Sequence, residues 1–252
     1  MSKVLIQQKP DFQKKVDNVE KLKISEMFSD TLQGEGIYSG VPATFMRLQG
    51  CTLVCVWCDT LDVWSEGNEY SFEEIFEMWE EIGLIERFKT GQHLVMTGGS
   101  PLKQQEQVLQ FIKRFIQKYS FKPFIEIENE GVLMPIEELI QYIDCWNNSV
   151  KLANSGMKEK ARYKPTVIEK LATLPNSWFK FVVDTEEDWQ EIVEFFIDPN
   201  LIRKDQIIVM PQGQTQEELL ETRELTADLA IKHNLRFCSR LHIDLWNKKT
   251  GV

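Results

Sequence analysis

From about residue 40 onward, short runs rich in β-branched and aromatic residues alternate with longer runs whose apolar residues recur every three or four positions. This alternation constrains the fold more than any other feature of the chain. VPATFMRLQG, HLVMTGG, KPFIEIENEG, WNNSVKLA, WFKFVVD, QIIVMPQG and LRFCSRLHID have strand character and lead into loops. SFEEIFEMWEEIGLIERF, KQQEQVLQFIKRFIQKY, PIEELIQYID, KPTVIEKLAT, EEDWQEIVEFFI and TQEELLETRELTADLAIKH have helical periodicity. Repeated β-then-α implies a parallel sheet covered by helices, an α/β fold. About seven strands, one short of an eight-fold barrel, predict a partial (β/α) barrel of mostly parallel strands with its active face at the strand C-termini. Phe76, Trp79, Phe111, Phe115, Trp189, Phe195 and Phe196 recur at helical spacing and are expected in the core.

No Pro/Gly/Ser-rich linker divides the 252 residues, and 42% are hydrophobic, so a single domain over 23–252 is expected behind a polar extension, 1–22. Apolar runs fall far short of the roughly 20 residues that span a bilayer, and the N-terminus has no hydrophobic signal core. A cytoplasmic protein without membrane contact is expected. With 29 basic and 39 acidic side chains, the formal charge of −10 disfavours direct binding to nucleic acid.

The loops after the strands carry the unusual residues. Cys51, Cys55 and Cys58 follow the first parallel strand, Thr97-Gly98-Gly99-Ser100-Pro101 the second and Glu128-Asn129-Glu130-Gly131 the third; Ser149 and Lys151 are placed on the fourth, and Met210-Pro211-Gln212-Gly213 follow the sixth. Five cysteines without a secretory signal argue for metal or redox chemistry over a disulfide framework. Cys145 and Cys238, among apolar neighbours, are expected as buried structural thiols. A structural zinc site needs four ligands, and no histidine lies near the C-x3-C-x2-C run. An iron–sulfur cube held by three thiolates instead leaves one iron open to a small molecule.

C-x3-C-x2-C is the signature of the radical S-adenosylmethionine superfamily, which the chain resembles. The flanks, SDTLQGEGIYSGVPATFMRLQGCTLVCVWCDT over residues 29–60, closely resemble the 7-carboxy-7-deazaguanine synthase family, with thinner landmarks at TGGSPL, SVKLANSGM, FKFVV, VMPQG and SRLHIDLW. The resemblance implies a 4Fe–4S cluster on Cys51, Cys55 and Cys58, whose fourth iron binds the amino and carboxylate groups of S-adenosylmethionine. It further implies Mg²⁺ and radical ring contraction of 6-carboxy-5,6,7,8-tetrahydropterin to 7-carboxy-7-deazaguanine with loss of ammonia, for queuosine and related deazapurines. A flavodoxin-like reductant and a homodimer follow from the same resemblance.

Residue roles carry over position by position. Trp57, Gly98, Gly99, Ser149, Val150, Lys151, Met210, Pro211 and Gln212 match cofactor contacts. Leu32, Gln33, Gly34, Glu35, Arg47, Thr97 and His242 match substrate contacts, with His242 placed on a strand, and Thr60 matches the Mg²⁺ ligand. The forked Arg47 guanidinium suits a carboxylate, and a hydroxyl suits a hard cation. Two positions depart from the pattern. Ser100 stands where the family usually has an acidic or amide residue, and Glu128-Asn129-Glu130-Gly131 replaces E-T-N/S-G. Two alternatives remain at this level: a glycyl-radical-enzyme activase, against which LQGEG and CDT weigh, and a non-catalytic iron–sulfur or zinc scaffold.

Overall fold

A computed structural model describes residues 3–6, 20–58, 60–249 and 251 of the chain. Its ten strands are β1 (Lys3–Ile6), β2 (Lys21–Leu32), β3 (Pro42–Leu48), β4 (Asn68–Ser71), β5 (His93–Gly98), β6 (Phe124–Asn129), β7 (Cys145–Asn148), β8 (Ser177–Val183), β9 (Ile207–Pro211) and β10 (Arg236–Phe237). They form one sheet in the order β1-β2-β3-β5-β6-β7-β8-β9-β10, with β4 paired to β2. From β3 through β10 every pairing along this path is parallel. β1 and β4 each run antiparallel to β2, and β2 antiparallel to β3. Among the described residues β10 does not pair with β1, so the sheet is a partial barrel, as the strand count implies.

The seven expected strands are the seven parallel ones, and the structure adds an antiparallel edge. Residues 1–22 are therefore not simply an extension: Lys3 and Val4 pair with Ser29 and Phe28, and β2 already begins at Lys21. Residues 1, 2 and 7–19 of that stretch lie outside the described residues, as does Asp59 of the CDT triplet. LRFCSRLHID also differs from its expectation. Its strand is only Arg236–Phe237, and a short helix, Leu241–Trp246, takes over, so His242 is helical. Ser149 and Lys151 lie just past β7, not on it.

Three helices begin where a side chain satisfies a first-turn backbone N–H group. Phe72–Glu81 starts with a capping box in which Ser71 Oγ accepts from Glu74 N and the Glu74 carboxylate accepts from Ser71 N. Glu186–Ile192 uses Thr185 and Asp188 in the same way, and Thr215 caps Gln216–His233. The single expected helix over 71–88 is broken at Gly83, whose left-handed backbone separates Phe72–Glu81 from Leu84–Lys89. PIEELIQYID forms only one turn, Glu137–Ile140.

The aromatic helical faces meet beneath the sheet. Phe76, Trp79, Phe111 and Phe115 are fully buried and pack edge-to-face or tilted, with Phe76 and Phe111 centroids 5.2 Å apart. Trp79 Nε1 finds Met27 Sδ on β2 at 3.3 Å, so the indole joins the helical layer to the antiparallel edge. Truncating such an anchor costs about 3–5 kcal/mol. Trp189 and Phe196 are buried, and Phe195 packs partly exposed against the same core.

Candidate active site

The loops at the C-terminal ends of β3, β5, β6, β7 and β9, with Lys180 and Val182 of β8 itself, line one cavity of about 270 Å³. Such crevices beyond parallel strand ends are where α/β folds bind ligands, because the loops there are free to vary while the strands fix their roots. All three clustered thiols, Cys51, Cys55 and Cys58, line it.

The cysteine loop is tied down from every side. Gly50 N donates to Trp64 O (2.9 Å), Ser100 N to Gly50 O (2.7 Å) and Val56 N to Ser155 O (3.0 Å). Thr52 Oγ1 donates to Glu130 Oε1 (2.6 Å), Lys103 Nζ to Cys51 O (3.2 Å) and Gln214 Nε2 to Trp57 O (3.2 Å). The sulfurs themselves receive weak donors: Leu53 N to Cys51 Sγ and Trp64 Nε1 to Cys58 Sγ, both 3.4 Å. Such bonds stabilise negative charge on sulfur. Without a bound group, burial pushes the Cys51 thiol up to about 11 and also raises Cys55. Ligation would have to displace those protons.

Gly98 and Gly99 serve this loop in a way the sequence does not reveal. A Cβ on Gly99 would lie 2.6 Å from Cys51 Cβ and closer still to the Gly50 carbonyl, and one on Gly98 would meet Leu48 N at 2.8 Å. The close approach they permit is that of β5 to the β3–cysteine junction, which brings the glycine pair to the cavity wall.

Beside the thiols, Lys151 Nζ donates to Ser149 Oγ (2.7 Å) and lies 5.2 Å from the Trp57 ring centre. Burial lowers the Lys151 pKa. Two buried polar atoms here have no partner among the described residues, the donor Trp57 Nε1 and the acceptor Glu130 Oε2. Met210 and Gln212 complete this wall. Val150 and Pro211 do not line the cavity. Val150 is core, and Pro211 ends β9.

At the other end are Leu32, Gln33, Gly34, Glu35, Arg47, Thr97 and His242. Gln33 Nε2 donates to Glu126 Oε2 (3.2 Å) and Glu128 Oε1 (3.3 Å), and its Oε1 accepts from Glu35 N (3.2 Å). Thr97 Oγ1 donates to Glu128 Oε2 (2.8 Å). His242 packs against Gly34, where a Cβ would come within 3.0 Å of its ring. Arg47 pairs with Glu26 through Nε (3.3 Å). Glu35 is clasped by Lys180 and, at 3.0 Å, by Arg240 Nε. Burial alone would raise the Glu35 carboxyl, but Lys180, Arg240 and His242 together hold it well below the usual range.

Lys180 and Arg240 are the residues that sequence reasoning overlooked. Lys180, 3% exposed in the middle of FKFVV, is a charge in a strand whose other residues are mostly buried and apolar, and that mismatch is the one available signal. Thr60 lines the cavity with Oγ1 3.9 Å from Cys58 Sγ, and although it stands at a helix N-cap its side chain makes no capping bond.

Among the described residues, no three His, Cys, Asp or Glu side chains converge as a mononuclear metal site requires. A cube engages each thiolate at a different iron and needs no such convergence. Three thiols on a tethered loop, with an unpartnered donor and acceptor beside them, fit a cluster with a polar cofactor. Among the described residues no helix is long and apolar enough to cross a membrane.

Residues 32–144 match the 4Fe-4S single cluster domain family. The chain is 34% identical over 233 residues to the 7-carboxy-7-deazaguanine synthase of Pyrobaculum aerophilum, covering 92% of this chain and 97% of the relative. It is 28% identical over 248 residues to that of Halobacterium salinarum, covering 90% and 91%. A crystal structure of QueE from Escherichia coli shares the fold with a TM-score of 0.66 at 24% identity, covering 88% of this chain and 95% of that one.

Proposed function

Because the chain belongs to the 7-carboxy-7-deazaguanine synthase family, we propose that this cavity converts 6-carboxy-5,6,7,8-tetrahydropterin to 7-carboxy-7-deazaguanine with loss of ammonia. The protein is a radical S-adenosylmethionine lyase. The observation that carries the reading is one cavity lined both by three thiols and by a set of paired, buried charges.

When bound, the 4Fe–4S cluster and S-adenosylmethionine supply the radical that begins the ring contraction. Cys51, Cys55 and Cys58 hold the cluster by three corners. Lys151 and Ser149 offer donors to the methionine carboxylate, and Trp57, Met210 and Gln212 form the adenosyl wall. On the substrate side, Arg47 uses only Nε toward Glu26 among the described residues, so its terminal nitrogens suit the pterin carboxylate. Thr97, Glu128, Gln33 and the Glu35 backbone N–H form a hydrogen-bonded row able to read the 2-amino-4-oxo ring edge, and buried polar pairing of that kind discriminates strongly. Thr60 offers an oxygen for Mg²⁺. A flavodoxin-like electron donor, a homodimer and a cytoplasmic setting belong to the same reading.

The test supplies anaerobically reconstituted protein with reductant, substrate, S-adenosylmethionine and Mg²⁺. Accumulation of 7-carboxy-7-deazaguanine supports the reading, and its absence with an intact cluster overturns it.

A further inference from the structure

The cysteine end of the cavity contains a buried carboxylate oxygen that nothing in the described protein satisfies. Glu130, on the loop after β6, is 4% exposed and lines the cavity; its Oε1 accepts from Thr52 Oγ1 at 2.6 Å, while Oε2 is buried without a partner. The other glutamates lining the cavity are engaged. Glu26 pairs with Arg47, Glu35 with Lys180 and Arg240, and Glu128 accepts from Gln33 and Thr97.

A buried acceptor without a donor bears its full desolvation cost, so the missing donor is expected to arrive with a ligand. Its neighbours identify which part of a ligand that is. Thr52, next to Cys51, ties Glu130 to the cysteine loop, and Lys151 Nζ, bonded to Ser149 Oγ, faces the ring of Trp57, next to Cys58. An anion and a cation thus both stand against the cysteine loop in the one cavity. This is the charge pattern of an α-amino acid head group in reverse. At the methionine end of S-adenosylmethionine the α-amino group is the sole N–H donor, since the sulfonium has no proton and the carboxylate only accepts.

We propose that Glu130 Oε2 accepts a hydrogen bond from the α-amino group of the cofactor's methionine moiety, opposite Lys151 at its carboxylate. The assignment rests on the proposed function, in that S-adenosylmethionine is the ligand. Ser100, the residue after the glycine pair, does not serve the purpose: its Oγ also lacks a partner among the described residues, but the residue is fully buried and does not line the cavity.

The test measures binding to the anaerobically reconstituted full chain by equilibrium dialysis, using S-adenosylmethionine and its desamino analogue, for the unsubstituted protein and Glu130→Gln. Glutamine keeps an acceptor for Thr52 and removes the charge. The expected result is that Glu130→Gln weakens S-adenosylmethionine about 10- to 100-fold, the size of one charge-assisted hydrogen bond, while affinity for the desamino analogue barely moves. The electron paramagnetic resonance spectrum of the reduced cluster without cofactor stays unchanged. Equal loss for both ligands overturns the proposal, as does unchanged affinity or a cofactor-free reduced spectrum altered by the substitution, which would place Glu130 on the cluster itself. Should Glu130→Gln fail to fold, Glu130→Ala takes its place with the same two ligands and the same deciding outcomes. Failure of the unsubstituted protein, with its cluster in place, to bind S-adenosylmethionine is a different result, which overturns the proposed function and this assignment with it.

Discussion

Lys151 Nζ lies 5.2 Å from the centre of the Trp57 ring, which places a partly buried cation against the one aromatic residue of the cysteine loop. Cation–π attraction and the bond to Ser149 offset part of the desolvation of the ammonium, but among the described residues no carboxylate bonds to it. Lys151→Met should therefore reduce S-adenosylmethionine affinity by about tenfold or more while the cluster's visible absorption persists. Equilibrium binding on reconstituted protein checks this, and loss of the absorption would make Lys151 a structural residue.

Glu35 joins residues distant in sequence, and its charge is essential to their burial. Lys180 and Arg240 have side chains only 4% and 13% exposed, so Glu35→Gln leaves two cations without their carboxylate. The expected cost is about 3–5 kcal/mol. Because the folded carboxyl is held below its ordinary range, the stabilisation is complete above the unfolded glutamate pKa of about 4.3. It shrinks as pH falls below that value and is lost once the folded carboxyl protonates. Unfolding free energies of the two proteins should differ by a constant amount from pH 8 to about pH 5 and converge in stronger acid; a difference that grows on acidification contradicts this.

Gly99 is packed against backbone that has no room to move. Gly99→Ala drives a methyl into the Gly50 carbonyl and Cys51 Cβ, at a cost of about 1–3 kcal/mol for overpacking. The displaced loop should also lose its cluster. Reconstituted iron content and the thermal midpoint should both fall; a fully loaded variant of normal stability would show that the contact yields.

Thr60 makes no side-chain bond to the helix it precedes, so Thr60→Ala should leave folding and the cluster absorption intact. The Mg²⁺ concentration for half-maximal turnover should rise severalfold. Loss of absorption would instead place the hydroxyl, 3.9 Å from Cys58 Sγ, in support of the cluster.

Most of the parallel sheet was legible because β5, β8 and β9 are short, largely apolar and buried runs followed by a turn, whereas β10 is two exposed residues. β2 was not legible. Its twelve residues include Ser25, Glu26, Ser29 and Asp30; Ser25, Glu26 and Asp30 find distant partners in Glu66, Arg47 and Arg87, and Ser29 Oγ has none among the described residues. The cysteines, Gln33 and Arg47 could be placed because a motif fixes their spacing. Lys180 and Arg240 lie 145 and 205 positions from Glu35, and no local pattern announces such a pair. Val150 shows the converse error: its neighbours in SVK face the cavity while it turns into the core against Gly131.

The central claim is that three thiols leave one iron for the cofactor. Electron–nuclear double resonance on the reduced, reconstituted protein, with S-adenosylmethionine carrying ¹⁵N in its amino group, tests this most directly. The account predicts a ¹⁵N coupling to the cluster, removed when unlabelled cofactor is exchanged in. A cluster whose spectrum is indifferent to S-adenosylmethionine, with all four irons ligated by the protein, would contradict it.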